Sequence, residues 1–134
     1  MNAHLALLQS QLSRLIAPSL FAVADPVALL DARDAAEFES EWLRVHQVLG
    51  PTSASVSAVE QAAFKQVYAA SGATDFNEFA PLVSEDFGLF ARALCQDFSD
   101  PWLSGLFACY QQGVFPCGHV QPVTSSLPAL LSAT

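Results

Sequence analysis

The stretch DAAEFESEWLRVHQVLGP, residues 34–51, decides the fold. Phe38, Trp42, Val45 and Leu49 recur at steps of three and four, which lays one apolar stripe along a helix that Gly50-Pro51 ends. The same period appears on both sides of it. Upstream, Leu5, Leu8, Leu12, Leu15 and Ile16 form a stripe that has to stop before Pro18. Asp25-Pro26 then supplies an N-cap and a proline at the first helical position, where a missing N–H is harmless. Downstream, Val56, Val59, Ala63 and Val67 share a face, with Ser57 and Glu60 at capping-box spacing and Ser71-Gly72 as the stop. Asp75, Phe76, Glu78 and Phe79 read as a short turn ended by Pro81, after which Ser84 caps a helix bearing Phe87, Phe90, Leu94 and Phe98. Asp100-Pro101 repeats the start signal for a helix carrying Trp102, Leu103, Leu106, Phe107, Cys109 and Tyr110, which Gly113 closes.

The pattern predicts an all-α protein: a single compact bundle of about five to six helices over residues 1–119. Residues 120–134 form an uncharged tail, expected to be extended or disordered, or else to pack on the domain, because Pro116, Pro122 and Pro128 forbid a long helix. No two-residue hairpin turn between alternating strands and no fixed-period repeat argues otherwise.

At 134 residues the chain suits one domain. With 52% hydrophobic residues and a mean hydropathy of +0.35 it falls outside the disordered class. Thirteen acids against five bases give a net charge of −8. That balance excludes unassisted binding to nucleic acid or to an anionic membrane surface, which needs clustered Lys and Arg. Nowhere do 18 consecutive apolar residues occur, so no membrane span is expected. Arg14 ahead of Leu15 to Val23, with Ala22-Val23-Ala24 behind it, has the outline of a cleaved leader. Pro18 and Ser19 interrupt that run, however, and its leucines already follow a helical period. Three cysteines, Cys95, Cys109 and Cys117, cannot all pair within one chain, and a cytoplasmic setting is expected.

Catalytic and metal chemistry finds little support. Asp31, Asp34, Glu37, Glu39 and Glu41 lie in helical sequence without the glycine and alternating oxygens of a calcium loop, and no Glu-x-x-His pair accompanies them. Cys109, Cys117 and His119 offer one close ligand pair where structural zinc sites present two. Ser104-Gly105 lacks a nucleophile elbow, Cys117 and His119 have no orienting third group, and the glycines are scattered. No enzyme, no metal and no cofactor is expected.

The charge pattern carries the functional signal. Asp25, Asp31, Asp34, Glu37, Glu39 and Glu41 face Arg33 alone, and Asp75, Glu78, Glu85 and Asp86 have no base between them. Asp34, Glu37 and Glu41 follow one border of the Phe38 stripe, forming an acidic ridge beside a buried seam. Leu89 projects among Glu85, Arg92 and Gln96, as an apolar anchor in a polar face would. The plainer explanation is a solvated surface that keeps a hydrophobic protein soluble. The sharper one is docking onto a basic protein partner, with Asp34, Glu37, Glu41, Glu78, Glu85, Asp86 and Leu89 as contact residues.

The segment Tyr110-x-x-Gly113-x-Phe115-Pro116-Cys117-Gly118 resembles a C-terminal signature of small acidic cytoplasmic bacterial proteins of the immunity type. Beyond it the chain departs from that pattern, with His119 and an uncharged Pro-rich tail in place of a charged, strand-like ending. The resemblance implies a non-enzymatic inhibitor that occludes a basic toxin or effector. An alternative is a self-associating interaction or secretion-chaperone domain sheltering an apolar segment, since residues 101–134 hold no Asp, Glu, Lys or Arg. The residues leave monomer and homodimer equally open.

Overall fold

The computed structural model describes residues 2–72 and 77–134, and among them the chain is all-helical. The helices are α1 (Ala3–Ser10), α2 (Leu12–Leu15), α3 (Pro26–Asp34), α4 (Ala36–Val48), α5 (Ala54–Ser71), α6 (Phe79–Gln96), α7 (Pro101–Gln111) and α8 (Leu127–Ser132), with a 3-10 turn at Pro18–Phe21. The eight described helices exceed the expected five to six for two reasons. The first stripe breaks at Gln11, and the tail contains α8.

Local chemistry sets most helix starts. Asp25 accepts from the Ala28 amide at 3.1 Å, Asp100 from Leu103 at 3.1 Å, and Ser126 from Ala129 at 3.3 Å, each followed closely by a proline inside the first turn. Two expected starts are corrected. Ser53 caps α5 by accepting from the Val56 amide at 3.3 Å, so Ser57 lies inside the helix: Ser53 offers the same hydroxyl chemistry one turn earlier. Helix α6 begins at Phe79, with Pro81 in its first turn, where no intrahelical N–H is required. The Ser84 hydroxyl donates to the Glu60 carbonyl at 2.9 Å instead of capping. The Asp75-Phe76 part of the expected turn lies outside the described residues.

Helix α6 is the centre of the molecule. Ala80, Val83, Phe87, Gly88, Leu89, Phe90, Ala91, Ala93 and Leu94 are buried on nearly all of its sides, as in a helix covered all round. Its longest partner is α5, which brings Val56, Val59, Ala63 and Val67 against it. Phe87, Phe90, Phe107 and Tyr110 meet edge to face at centroid distances of 4.9–5.9 Å. Each fully buried Leu, Val or Phe contributes about 1.5–3 kcal/mol relative to exposure.

The C-terminal tail is not disordered: it packs on the domain and ends in α8. Val120, Leu127 and Leu131 are buried, and the Gln111 amide donates to the Leu130 carbonyl at 2.8 Å and the Thr134 hydroxyl at 2.7 Å. The chain crosses α7 at Gly105, where an added Cβ would stand 2.2 Å from the Gln121 carbonyl oxygen. Much of residues 101–134 therefore packs against this chain's own core, which accounts for their lack of charge. Among the described residues no single helix is long and apolar enough to cross a membrane.

Candidate functional site

Four elements converge beneath the acidic surface on one buried carboxylate. Asp86 on α6 is fully buried and forms an ion pair with Arg33 at the end of α3. It also accepts from the Trp42 indole of α4 at 3.0 Å and from the Tyr110 hydroxyl of α7 at 2.6 Å. Arg33 donates as well to the Pro116 carbonyl at 3.2 Å, and its guanidinium carbon lies 4.4 Å from the Phe38 ring centroid and 5.3 Å from that of Phe115. Burial alone would lower the Arg33 value, but the charge of Asp86 and its hydrogen bond outweigh it and hold the guanidinium above its ordinary value. Burial, then Asp86, pushes the Tyr110 phenol well up. Tyr110 and Asp86 have essentially no solvent contact, so that part of the cluster fixes the packing of the helices.

Above this floor the surface is concave and acidic. A depression of about 160 Å³ is walled by Asp34, Phe38, Glu39, Trp42, Leu43, Leu82 and Glu85, with Arg33 at its base. A second, of about 420 Å³, shares Asp34 and Leu82 and adds Val27, Leu30, Asp31 and Glu78. Val27 is 67% exposed and Leu43 41%. Among the described residues, Asp31, Asp34, Glu39, Glu78 and Glu85 accept no side-chain hydrogen bond and form no ion pair. Burial, then the neighbouring Asp86 charge, raises Glu85 above the usual carboxylate value despite the opposing effect of Arg33.

Of the residues expected at a contact surface, Asp34, Glu78 and Glu85 are exposed and line these joined depressions. Glu37 and Glu41 belong to a different depression, of about 220 Å³, beside Trp102 and His119. Glu37 takes the His119 ring at 2.9 Å, while Glu41 shares Arg44 with Asp100, each carboxylate at 2.9 Å. Two expectations fail. Asp86 is an internal ion-pair partner, and Leu89, at 1% exposure, is core. Arg33 and Trp42 cover Asp86, whereas Leu89 lies beside Trp42, Glu60 and Arg92, its side chain buried beneath a polar band whose Glu85 and Gln96 remain exposed. Arg92 in that band caps α4 from outside, donating to the His46, Leu49 and Gly50 carbonyls at 3.0–3.1 Å. Leu43, Leu82, Val27 and Leu30 were missed as apolar members of the site. The available signal was their position beside, rather than on, the buried stripes.

Burial raises the thiols of Cys109 and Cys117, which disfavours the nucleophilic thiolate at neutral pH. Comparison with known proteins gives one family: the model described as Immunity protein PIM1 matches residues 7–117. No curated protein and no solved structure matches.

Proposed function

The chain belongs to the immunity protein PIM1 family, and from that premise we propose that it is a non-enzymatic inhibitor that neutralises a basic protein toxin through the acidic face of α3, α4 and α6. One observation carries this reading: Asp31, Asp34, Glu39, Glu78 and Glu85 surround exposed Val27 and Leu43 and form no ion pair among the described residues. Unpaired charge around an apolar patch suits a protein interface, with the acids steering encounter and the apolar side chains forming the buried centre. Arg33 and Arg44 are consumed internally by Asp86, Glu41 and Asp100, so neither neutralises this face. The inhibitor meets its toxin in the cytoplasm, before the toxin reaches its target.

The test begins with affinity capture from the native host and identification of the bound protein by mass spectrometry. Its association rate with the purified inhibitor is then measured from low to physiological salt. A rate that falls steeply with salt, and falls again in Asp34→Asn/Glu78→Gln, supports electrostatic docking through this face. A rate indifferent to salt and to these substitutions overturns it.

A further inference from the structure

The hollow of about 160 Å³ beside Trp42 has walls, a base and a rim of three different kinds. Phe38, Trp42, Leu43 and Leu82 make the walls apolar, Arg33 forms the base, and exposed Asp34, Glu39 and Glu85 stand at the rim. On the other side of Trp42 a further depression, of about 420 Å³, shares the indole and Glu85 and contains Glu60, His46 and Arg92, so the depressions join into one groove. That far end already holds a cation. Arg92 donates to the His46, Leu49 and Gly50 carbonyls and to the His46 ring, Nη1 to Nδ1 at 2.9 Å, and its remaining charge acts on Glu60. Room for a basic partner therefore lies at the Asp34 and Glu39 rim, where no ion pair forms among the described residues.

One buried carboxylate holds both the base and the aromatic wall of the hollow in place. Asp86 pairs with the Arg33 guanidinium and accepts from the Trp42 indole nitrogen at 3.0 Å, while Arg33 donates further to the Pro116 carbonyl at 3.2 Å. Neither side chain has to be ordered when a partner arrives, which spares the association that entropy.

The base is chemically selective. A guanidinium carries donors and no acceptor, so an entering lysine or arginine head meets like charge and no acceptor there. An entering carboxylate has to pass three acids. An aliphatic chain fills the apolar walls but leaves the base without a partner. An aromatic ring suits all three parts: it packs against Trp42, Leu43 and Leu82, and its negative face receives the cation, as the Phe38 ring does at 4.4 Å from the guanidinium carbon. The rim then complements lysine or arginine residues on either side of that ring in the partner's chain.

We infer that the hollow receives one aromatic side chain of the toxin, seated over Arg33 and against Trp42, with basic residues flanking it and meeting Asp34, Glu39 and Glu85. The inference rests on the inhibitor reading and adds to it the chemistry of the central contact.

The probe is the blocked tripeptide acetyl-lysyl-phenylalanyl-lysine-amide, titrated into the full chain and followed by two-dimensional amide NMR. Peptides with leucine or lysine at the centre, and one with phenylalanine between two glutamates, serve as comparisons. The expected result is saturable shifts confined to the amides around residues 33–43 and 82–86, with the phenylalanine peptide binding at least about threefold tighter than the leucine and all-lysine peptides. The glutamate peptide is expected to give no saturable shift. Leu43→Ala and Asp34→Asn/Glu39→Gln are each expected to weaken the phenylalanine peptide at least about threefold while their thermal midpoints stay close to that of the parent. Leucine or all-lysine binding as tightly as phenylalanine, equal binding of the glutamate peptide, shifts spread over every acidic surface, no saturable shift, or indifference to these substitutions would each overturn the assignment. Failure here alongside salt-dependent toxin binding removes the aromatic contact and leaves the inhibitor reading standing. A specific aromatic site without toxin capture does the reverse.

Discussion

The guanidinium of Arg33 on α3 is neutralised by the carboxylate of Asp86, 53 residues further along the chain on α6, and Tyr110 and Trp42 complete that carboxylate's shell. Removing one member strands the others in a region without water. Asp86→Ala is expected to cost about 3–5 kcal/mol, the usual consequence of leaving a buried charge unpaired. An apolar replacement of the pair, Arg33→Met with Asp86→Leu, should cost much less than the two single changes added together. Urea unfolding of the four proteins in the cycle checks both statements.

Glu85 gives a pH signature of the opposite kind. Its folded-state value is raised, chiefly by burial and next by Asp86. Such a group contributes stability below its unfolded value, about 4.3, and loses that contribution as pH rises through the folded value. At neutral pH the ionised carboxylate therefore opposes folding. Glu85→Gln is expected to raise the unfolding midpoint at pH 7 and to leave it nearly unchanged below about pH 4. Thermal melts at several pH values measure this.

Leu89 and Leu43 separate packing from recognition. Leu89→Ala opens a cavity in the core and is expected to cost about 2–5 kcal/mol in unfolding free energy. Leu43→Ala, on an exposed position, is expected to stay within about 0.5 kcal/mol of the parent in stability. It should nevertheless speed dissociation of the captured toxin, as surface plasmon resonance would show.

Gly105→Ala tests the tail. The Gln121 carbonyl, 2.2 Å from the added methyl, belongs to the backbone and cannot rotate away. The substitution is expected to cost about 1–3 kcal/mol and to accelerate hydrogen exchange in residues 120–132, with α4 and α5 unaffected.

The sequence revealed those features that short stretches of chain settle by themselves. Asp25-Pro26 and Asp100-Pro101 start helices because a side-chain oxygen and a fixed φ act on the next turn. The stripes of α4 and α5 read correctly for the same reason: Phe38, Val45, Val56, Val59, Ala63 and Val67 are all buried. Reading failed where a second element decides the outcome. Asp86 and Leu89 have polar sequence neighbours, and only packing by other elements, Arg33 of α3 and Trp42 of α4 in the case of Asp86, takes their side chains out of solvent. Leu127 and Leu131 lie in a Pro-containing stretch whose helix is stabilised by what it packs against. Asp34, Glu78 and Glu85 were legible as surplus charge, but their convergence depends on the packing of α3 against the start of α6.

Trp42 spans two environments. Its indole nitrogen is tied to the buried Asp86, and its ring forms the wall shared by two depressions of the groove. The only other tryptophan, Trp102, is buried against Phe38. Light emission from the native protein thus carries a built-in gauge of the groove. An occupant that touches the ring will alter its colour and quenching without any dye or label, and the signal from Trp102 supplies the internal reference.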